Sequence, residues 1–98
     1  MTIHKDMNGK ELTIALEGRL DTMTAPELEA ELSKSLDRAE SLMLDFSKLE
    51  YISSAGLRVL LSAHKAMSGK GGLKVTNANE IVQEVFEVTG FADILTIE

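Results

Sequence analysis

Residues Leu42–Leu61, which read LMLDFSKLEYISSAGLRVLL, decide how this chain folds. The stretch opens on Leu42-Met43-Leu44, an apolar run without alternation, and such a run predicts a short strand covered on both faces. It closes on one stripe of residues at helical spacing, namely Leu57, Leu60, Leu61 and His64. The stretch therefore predicts a buried strand, a connector, and a helix from about Ala55 to Met67.

Two adjacent serines, Ser53 and Ser54, stand at the start of that helix. A hydroxyl there can accept a hydrogen bond from an N–H group that has no partner within the helix. The same N–H groups and the helix dipole also attract an anion. The residues alone favour a cap role for at least one serine, with a phosphoryl acceptor as the functional alternative. Arg58, four residues after Ser54, shares its helical face and could reach a phosphate there.

The composition restricts the class of protein. The 98 residues carry a net charge of −6, and their 10 Lys and Arg residues form no cluster. Nucleic acids and anionic membrane surfaces both require a basic face, so we expect neither as a partner. The chain has no cysteine for disulfides or thiol chemistry and no apolar run long enough to cross a bilayer. We expect a single cytoplasmic domain over residues 1–98.

The N-terminal residues predict an antiparallel pair of strands at one edge of a sheet. Residues 2–7 alternate weakly, and Asn8-Gly9 is typical of a two-residue hairpin turn. Residues 11–17 then alternate apolar and polar side chains, as in a half-buried strand. Residues 18–24 predict a loop.

A helix is expected after this loop. Thr24 is a suitable cap, Glu27 stands three residues later as in a capping box, and Pro26 is tolerated in the first turn. One apolar face is formed by Ala25, Leu28, Leu32 and Leu36. We expect this helix to end at about Arg38 or Ala39.

The remaining residues continue the alternation of strands and helices. Leu73–Thr76 and Ile94–Ile97 predict strands, with a helix from about Asn79 to Thr89 between them. The residues of that helix expected to face inward are Ile81, Val82, Val85 and Phe86. This order predicts an α/β fold with a mixed sheet whose parallel strands are joined by right-handed crossovers.

The sequence gives little support for a catalytic site or a metal site. A nucleophilic serine needs a base and an orienting group, and the only histidines are His4 and His64. His64 falls more than two turns beyond Ser54, and Ser-Ser-Ala-Gly lacks the first glycine of the G-x-S-x-G elbow. Two distant histidines without cysteine do not predict a metal site. Gly69–Gly72 predicts a helix end and not a phosphate loop. We therefore expect neither an enzyme nor a bound cofactor.

Two stretches of this chain carry a resemblance to a known family. Gly18–Leu28, GRLDTMTAPEL, is similar to a G-x-L-D-x-x-T-A-x-x-L segment. Asp45–Leu57, DFSKLEYISSAGL, is similar to a D-x-x-x-L-x-[FY]-[IM]-[DS]-S-x-G-L segment. Both segments are those of the STAS domain, which is named for sulphate transporters and anti-sigma factor antagonists. The resemblance extends over essentially the whole chain.

This resemblance implies a mixed sheet of four to five strands with helices packed mainly on one face. It also implies an anti-sigma factor antagonist whose unphosphorylated form binds an anti-sigma factor, often a serine kinase with an ATP site. Phosphorylation would break that complex, and a serine phosphatase would restore it. The family acceptor serine falls on Ser54, whereas Ser53 replaces an Asp common before it and Ala55 replaces a common Ser or Thr. The residues expected to contact the partner are Asp21, Thr24, Ser53, Ser54, Ala55, Gly56, Leu57 and Arg58.

A different class of function stays open beside this one. The start of the helix near Ser54 could instead hold a nucleotide or another small anion, which would make the chain a ligand-binding module. The two hypotheses differ in a simple way, because only the second expects the isolated protein to bind small anions.

Overall fold

The computed structural model describes residues 1–98 as one sheet with helices packed against it. The strands are β1 (Thr2–Asn8), β2 (Glu11–Leu20), β3 (Ser41–Ile52), β4 (Leu73–Thr76) and β5 (Thr96–Ile97). The helices are α1 (Ala25–Ser35), α2 (Ser54–Met67) and α3 (Glu80–Thr89). Short 3-10 turns follow α1 at Leu36–Arg38 and α3 at Phe91–Asp93. None of the helices is both long and apolar enough to cross a membrane.

The strands lie side by side in chain order, β1-β2-β3-β4-β5. The β1 and β2 strands are antiparallel, and every later pair is parallel. Each parallel connection passes through one helix, and right-handed crossovers that always advance in the same direction place their helices on the same face of a sheet. The predicted mixed sheet with helices mainly on one face is confirmed.

The core lies between this helical layer and the inner face of the sheet. Leu42 and Leu44 of β3 are fully buried, whereas Met43 between them is 37% exposed. Period-two alternation sends Met43 to the outer face, where no helix lies. The prediction of a strand covered on both faces is therefore wrong. Farther along β3, Phe46 stacks on Phe86 of α3, with ring centroids 6.5 Å apart.

Two strands extend well beyond their predicted ends. The loop predicted for residues 18–24 begins only after Leu20, and β3 continues to Ile52 where a connector was expected. Irregularities in the β2–β3 register occur between Ala15 and Glu17 and again after Gly18, whose φ is +102°. Bulges let strand pairing continue through residues that do not alternate cleanly. As a result, β3 ends only one residue before the cap of α2, and that cap is followed by the first helical residue, Ser54.

Helix α1 is shorter than predicted, and a lysine explains how it stops. The α-helix ends at Ser35 and one 3-10 turn completes it. The Nζ of Lys70 donates hydrogen bonds to the carbonyl oxygens of Leu36 at 2.9 Å and Ala39 at 3.0 Å. Lys70 belongs to the glycine-rich stretch Gly69–Gly72, which follows α2 as a turn. That stretch ends one helix, as predicted, and its lysine caps the end of another.

The last helix buries fewer residues than its sequence indicated. Val82 and Phe86 are fully buried, and Val85 is partly buried. Ile81 was expected to face inward, but it is 57% exposed. A single sheet face covers only one side of α3, so its apolar arc is wider than the core can take.

Candidate functional site

The turn between β2 and α1 is organised by Asp21. Its Oδ1 accepts hydrogen bonds from the backbone N–H of Met23 at 3.0 Å and of Thr24 at 3.1 Å. In return, the N–H of Asp21 donates to Oγ1 of Thr24 at 2.9 Å. Burial raises the pKa of the Asp21 carboxyl, but the backbone donors of Thr24 and Met23 outweigh it and hold that pKa below its usual value.

The capping box predicted for Thr24 and Glu27 is wrong. The hydroxyl of Thr24 donates to the carbonyl oxygen of Arg19 at 2.8 Å and accepts from Asp21, and no helix N–H reaches it. The reciprocal pair is Asp21 with Thr24, one turn earlier than expected. Both side chains are half-buried, so the structure gives them the role of fixing the turn.

The second turn of the site joins β3 to α2. Ser53 has an extended backbone, and its Oγ accepts a hydrogen bond from the N–H of Gly56 at 3.4 Å, which confirms the predicted cap. Ser54 is the first residue of α2 and is exposed. The Ser54 hydroxyl has no hydrogen-bond partner within the protein. One serine therefore closes the helix start, and the other presents a free hydroxyl to solvent.

Close packing beneath this turn requires a glycine. A Cβ added to Gly56 would lie 2.7 Å from Cγ of Leu20 and 2.9 Å from Cγ1 of Ile52. Gly56 itself is buried, and Leu57 is only 5% exposed. Both residues therefore hold the helix start on the ends of β2 and β3, and the partner contact expected for them stays a prediction.

A cleft of about 440 Å³ separates the start of α1 from α2, and it lies beside the two turns. Thr22 lines it from the Asp21 turn, and Ala55 and Arg58 line it from α2. Arg58 and Lys65, which also lines the cleft, are exposed and make no ion pair. Only Arg58 of these two cations lies near the first turn of α2, because Lys65 is eleven residues beyond Ser54, and the carboxylate of Glu29 also lines the cleft.

Sequence reasoning missed two residues of this surface, Thr22 and Met23. Met23 has a side chain that is 84% exposed, and its own backbone N–H and that of Thr24 donate to Oδ1 of Asp21. An apolar side chain inside a polar turn was the signal available in the sequence. We call the accessible residues of the two turns the Ser54 surface; they are Thr22, Met23, Ser53, Ser54, Ala55 and Arg58.

Neither histidine is hydrogen-bonded to a serine of this surface. His4 lies on β1 and is hydrogen-bonded to Glu17 on the neighbouring strand β2. This hydrogen bond is the largest cause that lowers the pKa of Glu17. His64 is half-buried on α2, ten residues beyond Ser54, which is about 15 Å along a helix. No group of three or more His, Asp and Glu residues is placed to hold a metal ion.

Comparisons with known proteins find relatives over nearly the whole chain. Residues 3–96 match the family described as "Mlab, STAS domain". BtrV of Bordetella bronchiseptica, which is named as an anti-sigma factor antagonist, is 41% identical over 88 residues, covering 88% of this chain and 76% of that protein. An anti-sigma factor antagonist from Mycobacterium paratuberculosis has a similar structure, with a TM-score of 0.89 at 22% identity over 98% of this chain and 83% of that one. SpoIIAA of Bacillus in its phosphorylated form gives a TM-score of 0.77 at 18% identity over 99% of this chain and 91% of that one.

Proposed function

This chain belongs to the STAS domain family, and from that membership we propose that it acts as an anti-sigma factor antagonist. In this role it binds another protein and catalyses no reaction of its own. The partner is an anti-sigma factor of the ATP-binding serine kinase type. The observation that carries the proposal is the free, exposed hydroxyl of Ser54 at the first position of α2.

The unphosphorylated protein binds its partner through the Ser54 surface. Met23 supplies an exposed apolar side chain of the kind that anchors interfaces, and the polar residues around it form a rim. The Asp21 turn and the capped start of α2 fix these residues before binding, so little ordering is required when the complex forms. Binding the anti-sigma factor in this way frees the sigma factor.

Phosphorylation of Ser54 reverses the binding. The Oγ of Ser54 attacks the γ-phosphorus of ATP, the bond to ADP breaks, and the hydroxyl proton passes to a base of the kinase. The added charge of about −1.5 to −2 then lies at the contact. A like-charge contact with an acidic partner surface costs several kcal/mol, and about 1.4 kcal/mol already changes affinity tenfold. A serine phosphatase restores the hydroxyl by hydrolysis, releasing inorganic phosphate.

The modification does not need to unfold the domain. A phosphoryl group on the first residue of α2 lies where helix N–H groups and the helix dipole favour negative charge. The serine that caps α2 is Ser53, so the cap stays in place when Ser54 is modified. SpoIIAA, which shares this fold, has been solved in a phosphorylated form, and this supports a modification that the fold tolerates.

Kinase assays and binding assays test this proposal together. The protein is incubated with ATP and each ATP-binding anti-sigma factor of the same genome, and phosphosites are mapped by mass spectrometry. We expect phosphate on Ser54, none on the Ser54→Ala variant, retained binding by Ser54→Ala and weak binding by Ser54→Asp. Ser33→Ala, an exposed serine on α1, is the control and should behave as wild type. Phosphate on Ser33 with none on Ser54 would refute the site.

The cleft beside the Ser54 surface supports a second candidate function. Its volume of about 440 Å³ and the unpaired cations of Arg58 and Lys65 suit a nucleotide or another anion. This ligand-binding function expects the isolated protein to be stabilised thermally by ATP, GTP or phosphate, and expects Arg58→Ala to abolish the shift. An unchanged melting temperature with all three would exclude it and leave the antagonist proposal untouched.

A further inference from the structure

The negative charge of this protein is concentrated at its C-terminal end. Residues 75–98 contain five acidic residues and no Lys or Arg, so this segment holds −5 of the net −6. Glu98 pairs with Lys74, with Nζ and Oε1 2.9 Å apart. The other four carboxylates are exposed and take part in no ion pair; they are Glu80, Glu84, Glu87 and Asp93.

The same segment exposes apolar side chains on α3. Ile81 is 57% exposed and Val88 is 77% exposed, and Val85 is partly buried between them in sequence. Their spacing of i, i+4 and i+7 places the three on one helical face. Ile94, just after the following 3-10 turn, is 44% exposed. We call Ile81, Val85 and Val88 the α3 stripe.

An acidic row runs beside the α3 stripe along the whole helix. Glu80, Glu84 and Glu87 have the same i, i+4, i+7 spacing, offset by one residue and therefore by about 100° around the axis. Val82 and Phe86, on the remaining side, are buried against the sheet. The exposed part of α3 thus presents two parallel rows, one apolar and one of unneutralised carboxylates.

We propose that this face of α3 binds a basic amphipathic helix of a partner protein. Such a helix lays its apolar side on the α3 stripe, and Lys or Arg residues at matching spacing meet the acidic row. A second copy of this chain brings the same carboxylates to the contact, and an anionic bilayer brings phosphates, so both are repelled. The inference concerns α3 and does not depend on the Ser54 surface or its phosphorylation.

A peptide titration followed by NMR tests this inference. The probe is a synthetic peptide with leucines and lysines at helical spacing, added to the ¹⁵N-labelled full chain. Its controls are a scrambled peptide of the same composition and a peptide with glutamates in place of the lysines. We expect the amphipathic basic peptide alone to bind, with shifts confined to α3 and residues 90–94. Shifts centred elsewhere, or equal binding of the scrambled peptide, would overturn the proposal.

Surface variants distinguish the contribution of the α3 stripe to peptide binding from that of the acidic row. Val88→Lys and the pair Glu84→Lys with Glu87→Lys should each weaken peptide binding at least tenfold, because one loses the apolar contact and the other adds repulsion. Glu40→Lys makes, at an exposed residue outside α3, the charge change that each member of the glutamate pair makes, and it should leave affinity unchanged, as should Ser54→Asp. Equal loss in Glu40→Lys would mean that only net charge matters and would refute docking on α3. A concentration-dependent dimer that Val88→Lys abolishes would assign the stripe to a second copy and also refute it.

Discussion

The backbone N–H of Ser53 donates a hydrogen bond to the carbonyl oxygen of Leu20 at 2.9 Å. Leu20 is the last residue of β2, and Ser53 is the residue that caps α2. This bond continues the β2–β3 pairing, which ends at Leu20 and Ile52, and ties the Asp21 turn to the Ser54 turn, although 33 positions separate the two bonded residues in sequence. One turn follows β2 and the other follows β3, and these two strand ends are paired. We therefore expect displacement of one turn to displace the other.

Replacing Gly56 with alanine should destabilise the protein. The new Cβ would lie 2.7 Å from Cγ of Leu20, and overpacking of this kind costs about 1–3 kcal/mol. Urea unfolding followed by circular dichroism measures the change. Gly69→Ala is the matched control, since an added Cβ there meets nothing within 4 Å, and its midpoint should not fall. Equal midpoints for Gly56→Ala and wild type would show that the turn accommodates a methyl group.

Acid should weaken the protein partly through Asp21. The folded-state pKa of this carboxyl is lowered by its backbone donors, so its contribution is present above the ordinary Asp value of about 3.9. That contribution is lost as pH falls through the lowered folded-state value. Asp21→Asn should therefore flatten the decline of thermal stability at acid pH. Asp6→Asn, at an exposed strand residue without an ion pair, should leave the decline as it is in the wild type.

Removing the amino group of Lys70 should destabilise the end of α1. Lys70→Met keeps most of the aliphatic stem but leaves the carbonyl oxygens of Leu36 and Ala39 without this donor. We expect a loss of about 1 kcal/mol in the free energy of unfolding, measured by urea denaturation. Lys65→Met removes a lysine that makes no such bond and provides the comparison. An equal loss in both variants would contradict the capping role.

Met23→Ala should weaken partner binding without affecting folding. The side chain is 84% exposed, so its truncation removes little from the core. A central apolar anchor contributes about 2 kcal/mol or more at an interface, and we expect at least a tenfold rise in Kd for the anti-sigma factor. Isothermal titration calorimetry measures it, with Met7→Ala on β1 as the control. Unchanged affinity in Met23→Ala would place the contact outside this turn.

Much of the architecture was accessible from local patterns. The N-terminal hairpin, the position of α2 and a cap on α2 by one of the two serines each depend on residues close in sequence, and each was confirmed, although the turn residues are Gly9 and Lys10 and not Asn8 and Gly9. Turns and helix starts can be predicted from sequence because the groups that form their hydrogen bonds lie within a few residues of each other.

The errors arose where distant segments decide the outcome. The ends of β2 and β3 carry glycine and polar residues typical of loops, and only their mutual pairing makes them strands. Ile81 fits an inward helical face by spacing, but the core beneath α3 is too narrow to cover it. The capping box was placed at Thr24 because Glu27 fitted the pattern, whereas the strand end brought Asp21 into that role.

The consecutive strand order has a consequence for how the protein is synthesised. Each strand pairs with the one completed just before it, so a growing sheet can accept new segments in the order in which they leave the ribosome. The last addition, β5, is only two residues long. Such a short edge strand offers a neighbouring molecule few free backbone groups, so this edge is a poor template for association through strand pairing.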